Sequence, residues 1–200
     1  TTRNPAAYLT KRTYIHGVPF DVDERVIVPR SYIGELLFSG LFGGDGHNLI
    51  RHPDKIGSVL DLCTGSGCLA VLAAGIFSNA SIDAVDLSAD ALQVARINVK
   101  DLEQRITLHQ GDLFAPLAKK KYDLIITNPP YVAAAEVAAF PREYAQEPAM
   151  AHLGGPDGLD ITRRILADAP KHLNKGGGLL CEIGTGREIL EREYPNLKFF

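Results

Sequence analysis

An asparagine, two prolines and a tyrosine in succession, Asn128–Tyr131, are the residues of this 200-residue chain whose types and order could do chemistry. They follow an apolar run, Tyr122–Ile126, which indicates a buried strand, and two consecutive prolines forbid that strand from continuing. The Asn128 side-chain carbonyl and the Pro129 backbone carbonyl would be two rigidly held acceptors, and Tyr131 could stack on a planar group. Two converging acceptors suit a substrate that presents an NH2 group.

This combination favours methyl transfer to nitrogen. The NH2 group of an amide or a nucleobase is planar, and its lone pair is delocalised. Acceptors that take both hydrogens turn the lone pair toward an incoming methyl carbon and stabilise the positive charge that develops on nitrogen. Such a reaction needs neither a strong base nor a metal ion, and we predict no metal site. The alternative is a plain strand-ending turn, and the structural context must distinguish the two.

A glycine turn follows an earlier strand and predicts an adenosine-containing ligand. Gly65, Gly67 and Ala70 match the G-x-G-x-x-A dinucleotide fingerprint. Asp86 ends the next strand about 20 residues further on, where an acid binds ribose hydroxyls. NAD and S-adenosylmethionine both place a ribose there, so the turn alone is compatible with either, and a turn without a ligand is a third possibility.

Acidic residues near the ends of three successive strands favour S-adenosylmethionine, because it carries positive charge whereas NAD brings a pyrophosphate. Asp61 could orient the turn or receive an ammonium group, Asp112 could reach the adenine amine, and Leu113 could pack on the adenine. The predicted catalytic residues are Asn128, Pro129 and Tyr131. The predicted cofactor-binding residues are Asp61, Thr64, Gly65, Gly67, Asp86, Leu87, Asp112, Leu113 and Asn128.

The elements that must position these residues alternate between short strands and helices from residue 58 onward. This alternation predicts an α/β fold with a doubly wound, Rossmann-like parallel sheet. Ser88 is the predicted N-cap of the second helix. The predicted strands are Ser58–Leu62, Ser81–Asp86, Arg105–His109, Tyr122–Thr127, Gly177–Ile183 and a sixth that starts at Leu197–Phe200. The predicted helices are Cys68–Ile76, a segment with Leu92, Ala95, Val99 and Leu102 at helical spacing, and Leu159–Leu173, kinked or ended near Pro170.

We predict two regions, an N-terminal linker or cap over residues 1–57 and a methyltransferase-like domain over residues 58–200. The first region has weaker patterns. Its predicted elements are a helix over Pro5–Leu9, a hairpin of Tyr14–Ile15 and Phe20–Val22, a short strand over Val26–Val28, a helix over Tyr32–Leu41 and a polar loop over His47–Asp54.

Composition limits the remaining possibilities. A hydrophobic content of 46% supports a sizeable core, and a net charge of −3 does not point to a nucleic-acid or membrane partner. The three cysteines form neither a disulfide framework nor a zinc-ligand pattern, so we expect a reducing, cytoplasmic setting. The chain shows no signal peptide and no apolar run of transmembrane length, and it begins at Thr1 rather than methionine.

These residues resemble class I S-adenosylmethionine-dependent methyltransferases, and more narrowly the HemK-type protein-glutamine methyltransferases. The resemblance extends from Phe20–Ser31 through the glycine turn and Asn128–Tyr131 to Glu143–Asp160. The Asn-Pro-Pro-Tyr motif also occurs in DNA and RNA amino-methyltransferases, but YxxEPxxAxxGGxDGL after it is more specific. The resemblance implies methylation of a glutamine amide nitrogen, with Asn128 and Pro129 holding the amide.

Within that family, PRS-x-IGEL at Pro29–Leu36 is similar to the branch that acts on large-subunit ribosomal protein L-three. Enzymes that act on release factors typically have PRPxTE there, so a release factor is the second candidate. Three departures stand out: Cys63 replaces the first glycine of the turn, His152 replaces a leucine, and the antiparallel seventh strand of the fold is missing. A lone histidine is more often a surface or satisfied residue than a catalyst.

Three rivals remain at the sequence level. Residues 128–160 contain one positive residue, Arg142, and five acidic ones, which gives a net charge of −4. This charge would repel duplex DNA and attract a basic protein. We therefore expect a protein substrate, no duplex DNA and no membrane partner, although Lys119–Lys121 could touch RNA. An NAD-dependent oxidoreductase would leave Asn128–Tyr131 without a role. An intact motif also argues against a non-catalytic binding module.

Overall fold

The computed structural model describes residues 4–39, 50, 52–137, 139–141 and 144–199. Its N-terminal part has helix α1 (Ala6–Thr10), an antiparallel hairpin of strands β1 (Arg12–Ile15) and β2 (Val18–Asp21), and helix α2 (Tyr32–Phe38). The predicted hairpin and both predicted helices are confirmed. For α2 this holds up to Phe38, and residues 40 and 41 of the predicted helix lie outside the described residues. The strand predicted over Val26–Val28 is wrong, because these residues pair with no strand among the described residues, and Val26 and Ile27 instead line a cavity. Much of the predicted loop over His47–Asp54 lies outside the described residues.

The centre of the molecule is a five-stranded parallel sheet. Its strands are β3 (Ser58–Leu62), β4 (Ser81–Asp86), β5 (Ile106–Gln110), β6 (Tyr122–Thr127) and β7 (Leu173–Cys181). They lie in the order β5-β4-β3-β6-β7, so the strand order reverses between β3 and β6. The Rossmann-like fold class is confirmed. Ligands of such sheets bind beyond the carboxyl ends of the strands at the reversal point.

Helices cover both faces of the sheet. They are α3 (Cys68–Ile76), α4 (Ala89–Asn98), the short α5 (Ala134–Val137), α6 (Asp160–Asp168) and α7 (Arg187–Glu193). Ser88 caps α4 by accepting from the Ala91 N–H (3.1 Å), as predicted. A 3₁₀ turn over Ala169–His172 follows α6, because Pro170 cannot continue the α-helical hydrogen bonds. The strand predicted at Leu197–Phe200 is wrong for its described residues, 197–199, which follow α7 as irregular chain.

Two apolar clusters enclose the sheet. One lies between the sheet and α3, and it includes Ile15, Phe20, Ile33 and Leu37 from the N-terminal region. The other lies on the opposite face, where Ile165 of α6 packs with residues of β3 and β6. The N-terminal region therefore contributes side chains to the main core. Among the described residues, no helix is both long and apolar enough to cross a membrane.

Candidate active site

The turn after β3 is held from below by a buried carboxylate. Asp61 is fully buried, and its Oδ2 accepts hydrogen bonds from the Thr64 hydroxyl (2.5 Å) and the Ala70 N–H (3.1 Å). Burial raises the pKa of Asp61 to about 7, and the hydrogen bonds from Thr64 and Ala70 only partly oppose this. Among the described residues, its Oδ1 has no hydrogen-bond partner. Asp61 thus orients the turn from inside the protein.

A second carboxylate holds the turn from β4. Asp86 Oδ2 accepts from the Gly65 N–H (2.8 Å), and its Oδ1 accepts from the Ser88 N–H (2.8 Å). Burial raises the pKa of Asp86 despite these hydrogen bonds. Cys63, Gly65 and Gly67 all have positive φ angles, of 56°, 56° and 79°. Cys63 therefore adopts the left-handed conformation that glycine would accept more easily.

The two glycines of the turn serve different purposes. A Cβ at Gly65 would meet nothing within 4 Å, so this backbone stands open to the space above the sheet. A Cβ at Gly67 would lie 3.3 Å from the Ala95 Cβ, so this glycine lets the turn approach α4 closely. Gly65 is thus placed to face a ligand, and Gly67 is a packing residue.

A cavity of about 280 Å³ opens above the turn. Six of the nine predicted cofactor-binding residues line it: Gly65, Asp86, Leu87, Asp112, Leu113 and Asn128. Asp61, Thr64 and Gly67 are not among the lining residues. Asp112 pairs with Arg164 (2.6 Å), and both side chains are about half exposed, so the adenine contact predicted for Asp112 has a competitor. Leu87 is 56% exposed, which leaves its side chain available to a ligand.

Sequence reasoning missed part of this cavity wall. Arg25, Val26 and Ile27 line it from the N-terminal region, and Met150 and Leu153 line it from the segment after Asn128–Tyr131. Both segments lie within the part of the sequence that resembles the family. This resemblance was the one sequence signal that could have assigned them to the site. Periodicity was misleading, because a short run of branched apolar residues fits a strand and a cavity wall equally well.

A second cavity, of about 270 Å³, lies on the other side of Asn128. Because β6 pairs with β3, the end of β6 lies beside the glycine turn, and the buried Thr127 hydroxyl donates to the Leu62 carbonyl (2.9 Å). Asn128 lines both cavities, together with Ile27 and Ala151. Pro129 and Tyr131 line only the second. Its other lining residues are Arg30, Val132, Phe140, Tyr144 and His152.

The glycines of the GGPDG segment (residues 154–158) pack on the backbone of the motif. The Val132 N–H donates to the His152 carbonyl (2.8 Å), and the Gly154 N–H donates back to the Val132 carbonyl (2.9 Å). A Cβ at Gly158 would lie 2.4 Å from the Tyr131 carbonyl oxygen, and one at Gly154 would lie 2.7 Å from that of Pro130. Side chains at these positions would push the motif away.

Charge in residues 128–160 is partly compensated. Glu147 is buried and pairs with Arg30, and its Oε2 lies 2.9 Å from His152 Nε2. Burial opposes ionisation of Glu147, but its contacts with His152 and Arg30 hold its pKa below the usual value. Asp157 and Asp160 pair with Arg163 (2.7 and 3.6 Å). Arg142 and Glu143 lie outside the described residues. The ion pairs with Arg30 and Arg163 weaken the repulsion of duplex DNA that the net charge of this segment predicts.

His152 is neither a surface residue nor in direct reach of solvent, being 8% exposed. Its Nε2 lies 2.9 Å from Glu147 Oε2 without meeting regular hydrogen-bond geometry. The ring packs edge-on against Phe140, with centroids 5.2 Å apart. The Arg30 guanidinium lies 5.1 Å from the Tyr144 ring centroid, a cation–π distance. Across the part of the chain that the structure describes, no group of three His, Cys, Asp or Glu residues could hold a metal ion.

The fold agrees with what comparison with known proteins shows. Residues 47–153, more than half of the chain, match the methyltransferase small domain family, and the chain belongs to that family. This membership sets aside the NAD-dependent oxidoreductase. Among solved structures, the hMettl16 catalytic domain in complex with MAT2A 3'UTR hairpin 1 has the same fold: the TM-score is 0.64 at 19% identity, over 88% of this chain and 65% of that one.

Curated relatives narrow the resemblance further. The chain is 62% identical, over 98% of its length, to the ribosomal protein uL3 glutamine methyltransferase of Bradyrhizobium diazoefficiens. It is 53% identical, over 99% of its length, to the protein of that name from Burkholderia pseudomallei. The predicted resemblance to the ribosomal-protein branch is therefore confirmed. The chain spans 63% and 66% of these two relatives.

Proposed function

We propose that this chain carries the catalytic site of an S-adenosylmethionine-dependent methyltransferase that modifies the side-chain amide nitrogen of a glutamine in ribosomal protein uL3. The observation that carries the proposal is the position of Asn128, which lines both cavities. One cavity would hold the methyl donor and the other the acceptor. A group that contacts both can align the attacking nitrogen with the methyl carbon.

The residues of the first cavity fit S-adenosylmethionine. Asp86 offers a carboxylate whose oxygens each have capacity for a further hydrogen bond, which suits ribose hydroxyls. Leu87 and Leu113 offer apolar surface for an adenine, and the open backbone at Gly65 leaves room beside it. When bound, this cofactor supplies a methyl group on positively charged sulfur.

The chain's own residues hold the acceptor. The Asn128 side-chain carbonyl and the Pro129 carbonyl accept the two amide hydrogens, which directs the nitrogen lone pair at the methyl carbon and stabilises the charge that forms on nitrogen. The methylated nitrogen then releases one proton to solvent, which leaves a neutral N-methyl amide. Tyr131 stacks on the planar amide and stays neutral, because burial, and secondarily Glu182, raises its pKa to about 12. Neutral Tyr131 is a positioning surface and not a base.

The choice of a ribosomal protein glutamine rests on the relatives, whose name states this acceptor. The GGPDG segment also supports it, since it belongs to the sequence that resembles the glutamine-modifying group and it packs on the Asn128–Tyr131 backbone. Release factors are the second candidate for the acceptor protein.

Methyl transfer from labelled S-adenosylmethionine to purified uL3, a release factor, duplex DNA and RNA tests the proposal. We expect label in a uL3 glutamine, and a loss of roughly 100-fold or more in Asn128→Ala, because one preorganised polar group at a reacting centre is worth about that much. Cofactor binding, measured by calorimetry, should weaken far less than methyl transfer, because Asn128 is one of many residues that line the donor cavity. Asn196→Ala, at an exposed asparagine, is the matched control. Label in nucleic acid but not in protein would refute the proposal.

A further inference from the structure

Glu182, the residue after β7, is a buried carboxylate for which the sequence predicted no role. It is 9% exposed, and its two oxygens have different partners. Oε1 accepts from the Tyr131 hydroxyl (3.2 Å), and Oε2 accepts from the Ser31 hydroxyl (2.6 Å) and the Tyr32 N–H (3.0 Å). One carboxylate therefore connects the Asn128–Tyr131 motif with the first turn of α2.

The backbone around Glu182 adds to this connection. Its N–H donates to the carbonyl of Thr127 (3.0 Å), the residue immediately before Asn128. A Cβ at Gly184 would lie 2.8 Å from Tyr131 Cδ2, so the Tyr131 ring lies directly against the chain that follows Glu182. The ring is thus confined along its edge by Gly184 and at its hydroxyl by Glu182.

Hydrogen bonds, and not an opposite charge, stabilise this carboxylate. Within the described ranges, Glu182 forms no ion pair with a lysine, arginine or histidine, and three donors solvate it instead. A buried carboxylate without a cation requires such donors. The arrangement leaves the Tyr131 hydroxyl committed to Glu182, with its ring lining the acceptor cavity.

We propose that Glu182 is a positioning residue that fixes the plane of the Tyr131 ring, and with it the plane of the acceptor amide; this inference rests on the proposed function of the second cavity. An amide stacked on a fixed ring presents its lone pair in one direction. A misplacement of about 1 Å at a reacting group can lower the rate by roughly 100-fold. Glu182 itself does not line the acceptor cavity.

Glu182→Gln tests the assignment, because one amide oxygen cannot accept from all three donors. We expect kcat for methyl transfer to fall about 10- to 100-fold, with KM for the protein acceptor and the Kd of S-adenosylmethionine changing less than about threefold. Tyr131→Phe keeps the ring but removes the hydroxyl, so it should show the same pattern. The double variant should be no worse than Glu182→Gln alone, because Tyr131→Phe removes only the Tyr131–Glu182 interaction that Glu182→Gln already disrupts.

Glu191→Gln on α7 is the matched control, since this exposed glutamate pairs only with Arg187 within the described part of α7 and should keep wild-type kinetics. The melting temperature of each variant identifies any loss of folding. A Glu182→Gln kcat within twofold of wild type, or defects that multiply in the double variant, would overturn the proposal.

A measurement without methyl transfer separates this inference from the proposed function. With 3-fluorotyrosine incorporated, the ¹⁹F resonance of position 131 is assigned by its loss in Tyr131→Phe. Removing the nearby carboxylate charge should lower the phenol pKa of that residue by about one unit or more in Glu182→Gln. An unchanged titration would overturn the proposed contact, whether or not any acceptor is methylated.

Discussion

Two buried carboxylates, Asp61 and Glu147, show how local partners decide ionisation at the scale of single residues. Within the described part of the chain, Asp61 receives a hydroxyl and one N–H but no cation, and burial raises its pKa to about 7. Glu147 is also buried, but Arg30 and His152 hold its pKa below the usual value. The sequence shows only that both residues are acids. Their surroundings in the folded protein shift their pKa values in opposite directions.

Asp61→Asn should flatten the pH dependence of stability. An acid whose pKa is raised on folding stabilises most below its unfolded value, 3.8, and that stabilisation is lost as the pH rises through the folded value, about 7. The wild-type free energy of unfolding should therefore decline over this pH interval by an amount on the order of a few kcal/mol. Asp61→Asn should not show this decline, because it lacks the carboxyl group that titrates. Urea unfolding at several pH values measures it.

Asp123→Asn is the control, because the pKa of Asp123 is shifted in the opposite direction to that of Asp61. Burial opposes ionisation of Asp123, but hydrogen bonds from Asn174, Gly57 and Ser58 hold its pKa below 3.8, so its contribution is lost only in more acidic solution. Asp123→Asn should keep the wild-type slope between those two pH values. A wild-type slope in Asp61→Asn would contradict the prediction.

At the scale of elements, the GGPDG segment acts as a backbone support for the motif that ends β6. A parallel bridge between Val132 and Leu153 and the close approach of Gly158 to the Tyr131 carbonyl hold the two segments together. The candidate-site loop at Asn128–Tyr131 therefore depends on a second segment that follows it by about 25 residues, and long irregular segments of this kind commonly carry function.

Gly158→Ala should be more damaging than Gly176→Ala, although the two glycines have nearly the same φ, +81° and +82°. The backbone cost of alanine is then similar at both sites. At Gly176 a Cβ meets nothing within 4 Å, whereas at Gly158 it would meet the Tyr131 carbonyl oxygen at 2.4 Å. We expect Gly158→Ala to cost about 1–3 kcal/mol more in the free energy of unfolding, and to lower methyl transfer. Equal losses in thermal or urea unfolding would show that the contact is unimportant.

At the scale of the whole molecule, Asn98 connects the N-terminal hairpin with the cofactor side of the sheet. Its Oδ1 accepts from the Asp21 N–H (2.8 Å), and its Nδ2 donates to the carbonyls of Asp21 (2.9 Å) and Ser66 (2.9 Å). One side chain at the end of α4 thus joins β2 to the glycine turn. Residues 25–28, which follow the hairpin, depend on this docking to reach the candidate site.

Asn98→Ala should lower the free energy of unfolding by about 1–3 kcal/mol, because it leaves part-buried backbone groups without partners. It should also weaken S-adenosylmethionine binding, since the turn loses an anchor at Ser66. Arg96→Ala, at an exposed position of the same helix, should change neither. Urea unfolding and calorimetry measure the two effects, and unchanged cofactor affinity would argue against coupling between hairpin and turn.

The sequence by itself determined the central elements and the order of the motifs. The predicted bounds of β3, α3, β4 and β6 agree with the structure, because each is an apolar run ended by glycine, proline or a polar cluster. The predicted β7 begins late, since Asn174–Gly176 lack the apolar pattern, and a register irregularity opposite Tyr122 and Leu124 accommodates them.

Only the tertiary structure decided which distant residues complete the site. Ser31 and Glu182 meet across 151 positions, and Arg30 and Glu147 across 117. Such contacts leave no local pattern in either segment, because they depend on the strand order and on which faces the helices cover. The motif Asn128–Tyr131 therefore predicted the chemistry, whereas the packing of α2, β7 and the GGPDG segment decided what holds it in place.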